Sequence, residues 1–260
     1  MMPLPLALAF AFLFGLSVGS FLNVVIARLP AGRSIVRPGS SCPRCGSAIA
    51  WYDNVPLLSY ALLRARCRSC QAWISWRYPA IEFTCGALFA LAYLSFGSSP
   101  QLVAALIFLA GLVAITWIDL DHQIIPDVLS LPGIVLGLLL SLAPGGIGWK
   151  DALVGTIVGG GLFVLIIVGS ALIIGQPGMG VGDVKLGAMI GAFLGWKLVL
   201  LSILLSVLIG GPLAAALLAT GRKGRKDPVP FGPFLAMGGM ISLFCGNALL
   251  AWYFGQFLAE

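Results

Sequence analysis

Long apolar runs separated by short polar segments dominate this 260-residue chain. A transmembrane helix needs about 20 consecutive, mostly apolar residues. Eight runs approach or reach that length: residues 4–27, 80–96, 101–119, 128–144, 152–175, 184–195, 197–219 and 232–256. The sixth run is short, and its boundary with the seventh falls at Trp196–Lys197. The pattern predicts an all-α, polytopic membrane protein with about eight transmembrane helices.

Composition supports this fold class. Hydrophobic residues make up 60% of the chain and charged residues only 9%, whereas about 25% of residues are charged in an average soluble domain. These values exclude a water-soluble globule, a disordered chain and a disulfide-rich secreted module. The runs are also too long for the strands of an outer-membrane barrel. The first run lacks a basic segment before it and is followed by positive charge, so it is predicted to be a retained span.

The basic residues predict the orientation, because lysine and arginine concentrate in cytoplasmic loops. In an eight-span topology, Lys150 and Lys197 fall on one side and the other thirteen basic residues on the opposite side. Those thirteen are Arg28, Arg33, Arg37, Arg44, Arg64, Arg66, Arg68, Arg77, Lys185, Arg222, Lys223, Arg225 and Lys226. The loop after the first span is therefore predicted to be cytoplasmic, with both termini outside. Topology and lipid headgroups account for the net charge of +6, which gives no support for nucleic-acid binding.

The first loop carries two CxxC pairs separated by 21 residues: Cys42, Cys45, Cys67 and Cys70. Four thiolates in two short turns are typical of a closed, tetrahedral structural zinc site. A disulfide pair and free thiols are the alternatives, and a reducing cytoplasm argues against the disulfides. Cys85 and Cys245 lie inside apolar runs and are predicted to be small packing residues.

Two polar-aromatic clusters, Trp51–Pro56 and Arg77–Pro79, belong to the same loop. They form either a ligand surface or interfacial anchors beside a membrane, and their aromatic content favours anchors.

The predicted organisation has three parts. Residues 1–28 are the first span, residues 29–79 are a cytoplasmic four-cysteine domain, and residues 80–260 are a seven-helix membrane domain.

Acidic residues gather in two segments, 118–127 and 178–185. The first contains Asp119, Asp121 and Asp127, and the second contains Asp183. Both segments face the same side in the predicted topology, so their carboxylates can meet. Two aspartates at one site share a proton, which is the arrangement that aspartic proteases use to activate water and protonate a leaving amine.

Other roles stay open for several residues near these carboxylates. Asp127 follows Pro126 and is either an N-cap or a direct participant. Asp121 is either a solvated interfacial charge or part of the site, and His122 is predicted to be interfacial. Lys185 favours ionised Asp183 by charge. Three glycines, Gly178, Gly180 and Gly182, are predicted to let the backbone leave helical geometry and a substrate approach.

At these residues the chain resembles the type IV prepilin leader peptidases, a family of intramembrane aspartic proteases with a GxGD motif. The resemblance runs nearly from end to end. It covers residues 19–25, both CxxC pairs, Arg77–Pro79 with Glu82, residues 119–127, Gly180–Asp183 and Pro230–Pro233.

The resemblance implies that Asp119 and Asp183 are the catalytic pair. Gly180, Gly182, Lys185, Asp121 and Asp127 would support the motif or the substrate. It implies cleavage of the basic leader of prepilins or pseudopilins, after a glycine, at the cytoplasmic face of the bacterial inner membrane. Such enzymes serve type IV pili and protein secretion, and the predicted partners are these substrates and membrane lipid.

The resemblance also implies N-methylation of the new amine with S-adenosylmethionine. No dinucleotide-type glycine loop is present, and the candidate residues for the cofactor are Asp53, Arg66, Arg77 and Glu82. Many bifunctional members carry Gly-Lys before the second cysteine pair, whereas this chain has Ala65-Arg66. A leader peptidase without methyltransferase activity is therefore one alternative. An alternative of another class is a proton-coupled transporter, which also uses membrane carboxylates and interrupted helices.

Overall fold

Helices make up nearly all the regular structure of the protein, which we describe from a computed structural model covering residues 3–175, 178–220 and 230–257. In chain order they are α1 Leu4–Arg28, α2 Leu58–Leu62, α3 Arg77–Phe96, α4 Pro100–His122, α5 Asp127–Leu140, α6 Trp149–Ile174, α7 Val181–Ala219 and α8 Gly232–Phe257. A 3₁₀ turn, Trp51–Asn54, precedes α2. Within the described ranges, two isolated antiparallel bridges are the only β-type pairing.

The predicted polytopic helical fold is confirmed. In the described part of the chain, six helices are long and apolar enough to cross a membrane: α1, α3, α4, α6, α7 and α8. The predicted span at 128–144 corresponds to the shorter α5, which has 14 residues. The predicted sixth and seventh spans both lie in α7. This element has 39 residues and non-helical backbone angles at Gly195 (φ 78°, ψ 175°), one residue before the predicted boundary.

The chain divides into two compact units, Met1–Leu102 and Val103–Glu260. In the first unit, α1 packs against α3 through glycines that allow close approach of the two backbones. A Cβ atom at Gly15 would lie 2.6 Å from the Cys85 carbonyl oxygen, and one at Gly19 would lie 2.7 Å from the Glu82 Cα. Cys85 is fully buried at this contact, which confirms its predicted packing role.

In the second unit, α6 and α7 are in backbone contact through two pairs of glycines. A Cβ atom at Gly191 would lie 2.0 Å from the Gly155 carbonyl oxygen, and one at Gly159 would lie 2.2 Å from the Gly187 carbonyl oxygen. Large buried side chains complete the core of this unit; they include Phe108, Leu112, Ile115, Phe163, Leu186, Met189, Ile190 and Leu235. This packing holds the start of α7 against its neighbours.

Cys245 is exposed on the surface of α8, so the prediction that it packs inside the protein is wrong. An apolar run does not reveal which of its faces points away from the neighbouring helices. Four of the basic residues used to predict the orientation lie outside the described residues: Arg222, Lys223, Arg225 and Lys226.

Candidate active site and four-cysteine site

A cavity of about 420 Å³ lies where the end of α4, the start of α7 and the residues before α8 come together. Asp119 and Asp183 both line it, so the structure brings together the two aspartates that the sequence paired. Asp119 lies in the last turn of α4, and Asp183 lies in the first turn of α7. The cavity thus holds two carboxylates carried on the ends of long apolar helices.

Asp119 is buried, with 5% of its surface exposed. Its Oδ2 accepts a hydrogen bond of 3.0 Å from the backbone N–H of Gly232, the first residue of α8. A Cβ atom at Gly232 would lie 2.6 Å from this Oδ2 and 3.0 Å from the Cγ. Only a residue without a side chain therefore lets α8 begin this close to the carboxylate.

The remaining acids of the first segment have other positions. Asp127 is the first residue of α5 and pairs with Lys185 of α7. The N-cap of α5 is Pro126, so of the two alternatives for Asp127 the N-cap is wrong. Asp121 and His122 are exposed at the end of α4 and are not among the residues lining the cavity. Lys185 lines the cavity and reaches Asp127 outside it.

The three glycines around the start of α7 have different surroundings. The backbone is non-helical at Gly178 and Gly180, whereas Gly182 lies inside the first turn of α7. A Cβ atom at Gly182 would lie 3.0 Å from the Cβ of Ile125. A Cβ atom at Gly180 would meet Asp183 only at an ordinary distance of 3.9 Å. Gly182 therefore lets Ile125 approach the start of α7.

Sequence reasoning missed several residues that complete the cavity. Gln123, Ile124 and Ile125 line it from the segment after α4, and Phe231 lines it from the segment before α8. Gln123 has a left-handed φ of 54°, and its N–H donates to the Asp119 carbonyl oxygen at 2.9 Å, which ends α4. The Pro230–Pro233 motif was the available sign that residues before α8 belong to the site, but nothing in the sequence linked this motif to Asp119.

The four loop cysteines form a second candidate site. The sulfur atoms of Cys42, Cys45, Cys67 and Cys70 all lie within 4.8 Å of one another. The Cys42 and Cys70 sulfurs are 3.8 Å apart. A Zn–S bond of about 2.3 Å in tetrahedral geometry places two sulfurs roughly 3.8 Å apart. The cluster therefore has the donor set and the size that a tetrahedral metal ion needs.

Both CxxC pairs adopt the same turn. Cys42 N–H donates to Ser47 O at 2.9 Å, and Cys67 N–H donates to Ala72 O at 2.8 Å. Hydrogen bonds from Ser47, first from its hydroxyl and then from its backbone, lower the pKa of the Cys45 thiol to about 6. A thiolate is the form that binds metal, so this turn favours the ligating state of Cys45.

Four loop residues other than glycine have a positive φ, which favours glycine. They are Leu57 (φ 58°), Arg64 (φ 50°), Ala65 (φ 59°) and Gln71 (φ 58°). Ala65 is where the resemblance led us to expect glycine. Its Cβ brings backbone strain, since a side chain in this region costs about 1–2 kcal/mol.

The four residues predicted as candidates for the cofactor site lie at different points of the loop and of α3. Arg68 forms a bidentate ion pair with Asp53, with N···O distances of 2.7 and 2.6 Å, and these hydrogen bonds keep the pKa of Asp53 below its ordinary value. Glu82 is buried in α3 and accepts the N–H of Leu57 at 2.9 Å. Arg66 is exposed beside the second cysteine pair, and Arg77 is the first residue of α3. Asp53 and Glu82 therefore hold the loop at two different points.

Comparison with known proteins identifies the family of the chain. Residues 13–96 match the bacterial peptidase A24 N-terminal domain, and residues 106–215 match the type IV leader peptidase family. No solved structure matched the chain.

Three similar proteins are each named prepilin leader peptidase/N-methyltransferase. The protein from Myxococcus xanthus is 46% identical over 85% of this chain and 67% of its own length. The one from Aeromonas hydrophila is 38% identical over 95% and 93%. The one from Pseudomonas aeruginosa is 39% identical over 93% and 91%. These matches leave the transporter alternative without support, and the chain belongs to the type IV leader peptidase family.

Proposed function

We propose that this protein is a bifunctional membrane enzyme. It cleaves the leader of type IV prepilins or pseudopilins after a glycine and then methylates the new N-terminal amine. One observation carries the peptidase activity: Asp119 and Asp183, from distant parts of the chain, line a single cavity at the ends of two apolar helices. The family assignment and the names of the similar proteins support both activities.

The proposed hydrolysis needs two carboxyl groups in different protonation states. Asp119 and Asp183 act as a pair in which one carboxylate takes a proton from water as the water attacks the carbonyl carbon of the leader glycine. The other carboxyl group gives its proton to the amide nitrogen as the C–N bond breaks. The products are a leader with a free carboxylate and a pilin with a free amine.

Neighbouring residues position this pair and the substrate. Gly180 leaves room on the cavity wall for the backbone at the substrate glycine, and Gly182 lets Ile125 pack against the start of α7. Lys185 forms an ion pair with Asp127, and Asp121 is exposed at the end of α4, where its charge suits contact with a basic leader. The pair Asp127–Lys185 then acts by joining the starts of α5 and α7.

Methyl transfer is assigned to the four-cysteine domain, residues 29–79, and peptide cleavage to residues 80–260. S-adenosylmethionine supplies a methyl group to the freed amine. Zinc is the metal proposed for the cysteines, and it acts by folding the loop, because four thiolates leave no open ligand position. The candidates for positioning the cofactor remain Asp53, Arg66, Arg77 and Glu82. Asp53 and Glu82 would act indirectly, by holding the loop in place.

The proposed location is the bacterial inner membrane. The concentration of basic residues in the four-cysteine loop supports a cytoplasmic loop, a cytoplasmic active site and outward-facing termini. A cytoplasmic site lets the basic leader reach the cavity while the apolar pilin helix stays in the bilayer.

Mass spectrometry of a purified prepilin incubated with the full-length enzyme tests both activities. With enzyme alone the leader is lost, and with S-adenosylmethionine the product gains a methyl group. Asp119→Asn and Asp183→Asn should each abolish cleavage but still methylate a pilin supplied without its leader. Asp151→Asn, at an exposed site in the first turn of α6, is the matched control and should cleave normally.

The results separate the alternatives. Normal cleavage by either cavity variant would refute the aspartic mechanism. Leader loss without any methyl gain would leave a peptidase that lacks the second activity.

Metal analysis tests the zinc site. About one zinc ion per chain is expected for a single four-thiolate site. The double variant Cys42→Ser with Cys67→Ser should lose the metal. Cys245→Ser changes an exposed cysteine on α8 and should keep it. A metal-free wild-type protein that still methylates would show that the cysteines do not serve as a zinc site.

A further inference from the structure

The short helix α2, Leu58–Leu62, has two different faces. Its inner face is fixed to the loop: Ser59 is buried, and its hydroxyl donates to the Tyr52 carbonyl oxygen at 2.9 Å. Its outer face presents Leu58 and Leu62, which are 56% and 74% exposed. These two leucines are four residues apart and therefore adjacent on one side of the helix.

Two hydrogen bonds determine where α2 lies along the spanning helices. Leu57, directly before α2, donates its N–H to Glu82, which is five residues inside α3. Asn23 of α1 donates to the Tyr78 carbonyl oxygen in the first turn of α3 at 3.2 Å. Because a helical side chain leans toward the helix N-terminus, Leu57 lies near the level of the first turn of α3.

The sequence of α1 shows which side of the membrane boundary this level occupies. After Asn23, the helix continues through four apolar residues, 24–27, before its first charge at Arg28. Arg28 is about 7.5 Å beyond Asn23 at 1.5 Å per residue. The level of α2 is therefore on the apolar side of Arg28. An exposed tryptophan, Trp76, at the N-cap of α3 marks the same zone, since such residues concentrate at membrane interfaces.

We propose that α2 is an in-plane membrane anchor whose Leu58 and Leu62 insert into the boundary between lipid headgroups and acyl chains. Arg64 and Arg66 follow α2 directly and are both exposed. Their charge complements anionic phospholipid headgroups. The occupant of this face is the phospholipid bilayer that surrounds the protein. Anchoring in this way holds the four-cysteine loop at a constant height above the bilayer.

Photocrosslinking of the full-length protein in liposomes that contain anionic phospholipid tests this proposal. Leu62 is replaced by photoreactive benzoylphenylalanine, and Val36, which is 77% exposed in the same loop, is replaced in a matched control. Phospholipid adducts, identified by mass spectrometry, should form at position 62 in several-fold excess over position 36. Replacement at Leu58 provides a second site on the same face if the protein substituted at Leu62 does not fold.

Three results would overturn the proposal. Lipid adducts of equal yield at positions 62 and 36 would show that α2 is no closer to lipid than the rest of the loop. No adduct at 58 and 62 would show that α2 stays in water. A crosslink from position 62 to an added prepilin in place of lipid would make this face a substrate-docking surface. Prepilin cleavage by each substituted protein confirms that it is folded.

Discussion

Replacing Gly232 with alanine is the most direct perturbation of the proposed active site that leaves both aspartates unchanged. The new Cβ would lie 2.6 Å from the Asp119 Oδ2 and 3.0 Å from its Cγ. Non-bonded heavy atoms prefer a separation of about 3.5 Å or more. Either Asp119 or the start of α8 must therefore move by roughly 0.5–1 Å, and the 3.0 Å hydrogen bond between them is disturbed.

The expected consequence is a loss of catalytic rate. A misplacement of about 1 Å in a catalytic group can cost on the order of 100-fold, which corresponds to about 2.7 kcal/mol of activation free energy. We therefore expect kcat for prepilin cleavage to fall roughly 100-fold in Gly232→Ala, with a smaller change in KM. Initial rates of leader loss at several prepilin concentrations measure both parameters.

A matched control separates this effect from a general response to alanine. Gly161 lies within α6, and a Cβ there would meet nothing within 4 Å. Gly161→Ala should cleave at the wild-type rate, with stability unchanged or raised by about 0.5–1 kcal/mol. A wild-type kcat for Gly232→Ala would refute the reasoning. A rate loss fully accounted for by unfolding in a thermal melt would also refute it.

Three further predictions concern stability, and thermal unfolding of the purified protein measures each. Ala65→Gly relieves the left-handed strain and should stabilise the protein by about 1 kcal/mol. The matched control Ala61→Gly, in α2, should destabilise it by about 0.5–1 kcal/mol. Equal changes of melting temperature in the two variants would contradict the strain at Ala65. Gly191→Ala forces a Cβ to within 2.0 Å of the Gly155 carbonyl oxygen and should cost about 3 kcal/mol; an unchanged melting temperature would show that α6 and α7 separate easily. Lys185→Ala removes a partly exposed ion pair and should cost less than about 1 kcal/mol; a larger loss would mean that the pair is a structural requirement.

The helical architecture was predictable because the bilayer allows few solutions. A chain crossing hydrocarbon must satisfy its backbone hydrogen bonds internally, so long apolar runs become helices. The predicted ends of α1, α4 and α8 agree with the structure within three residues. The prediction was weaker for α5 and α7, where a shortened helix and a break at Gly195 depend on packing against neighbours.

The candidate sites were predictable to the extent that their residues were chemically unusual. Aspartates in apolar surroundings are costly to bury, and four cysteines in two CxxC pairs are typical of metal binding, so each set stood out from the rest of the chain. The structure places the members of each set together. The role of Asp127 was not predictable. Its partner Lys185 lies far away in the chain, and no local pattern records that contact.

The sequence by itself determined that this is a multi-pass helical membrane protein with one paired-aspartate motif and one four-thiol motif. Local features carry that information: hydrophobicity over 20 residues, the scarcity of charge, and the short spacing of the ligands. Only the tertiary structure decided that the N–H of Gly232 meets Asp119, that Glu82 holds Leu57, and that α2 turns two leucines outward. These contacts join segments far apart in sequence, and they depend on how the helices pack in three dimensions.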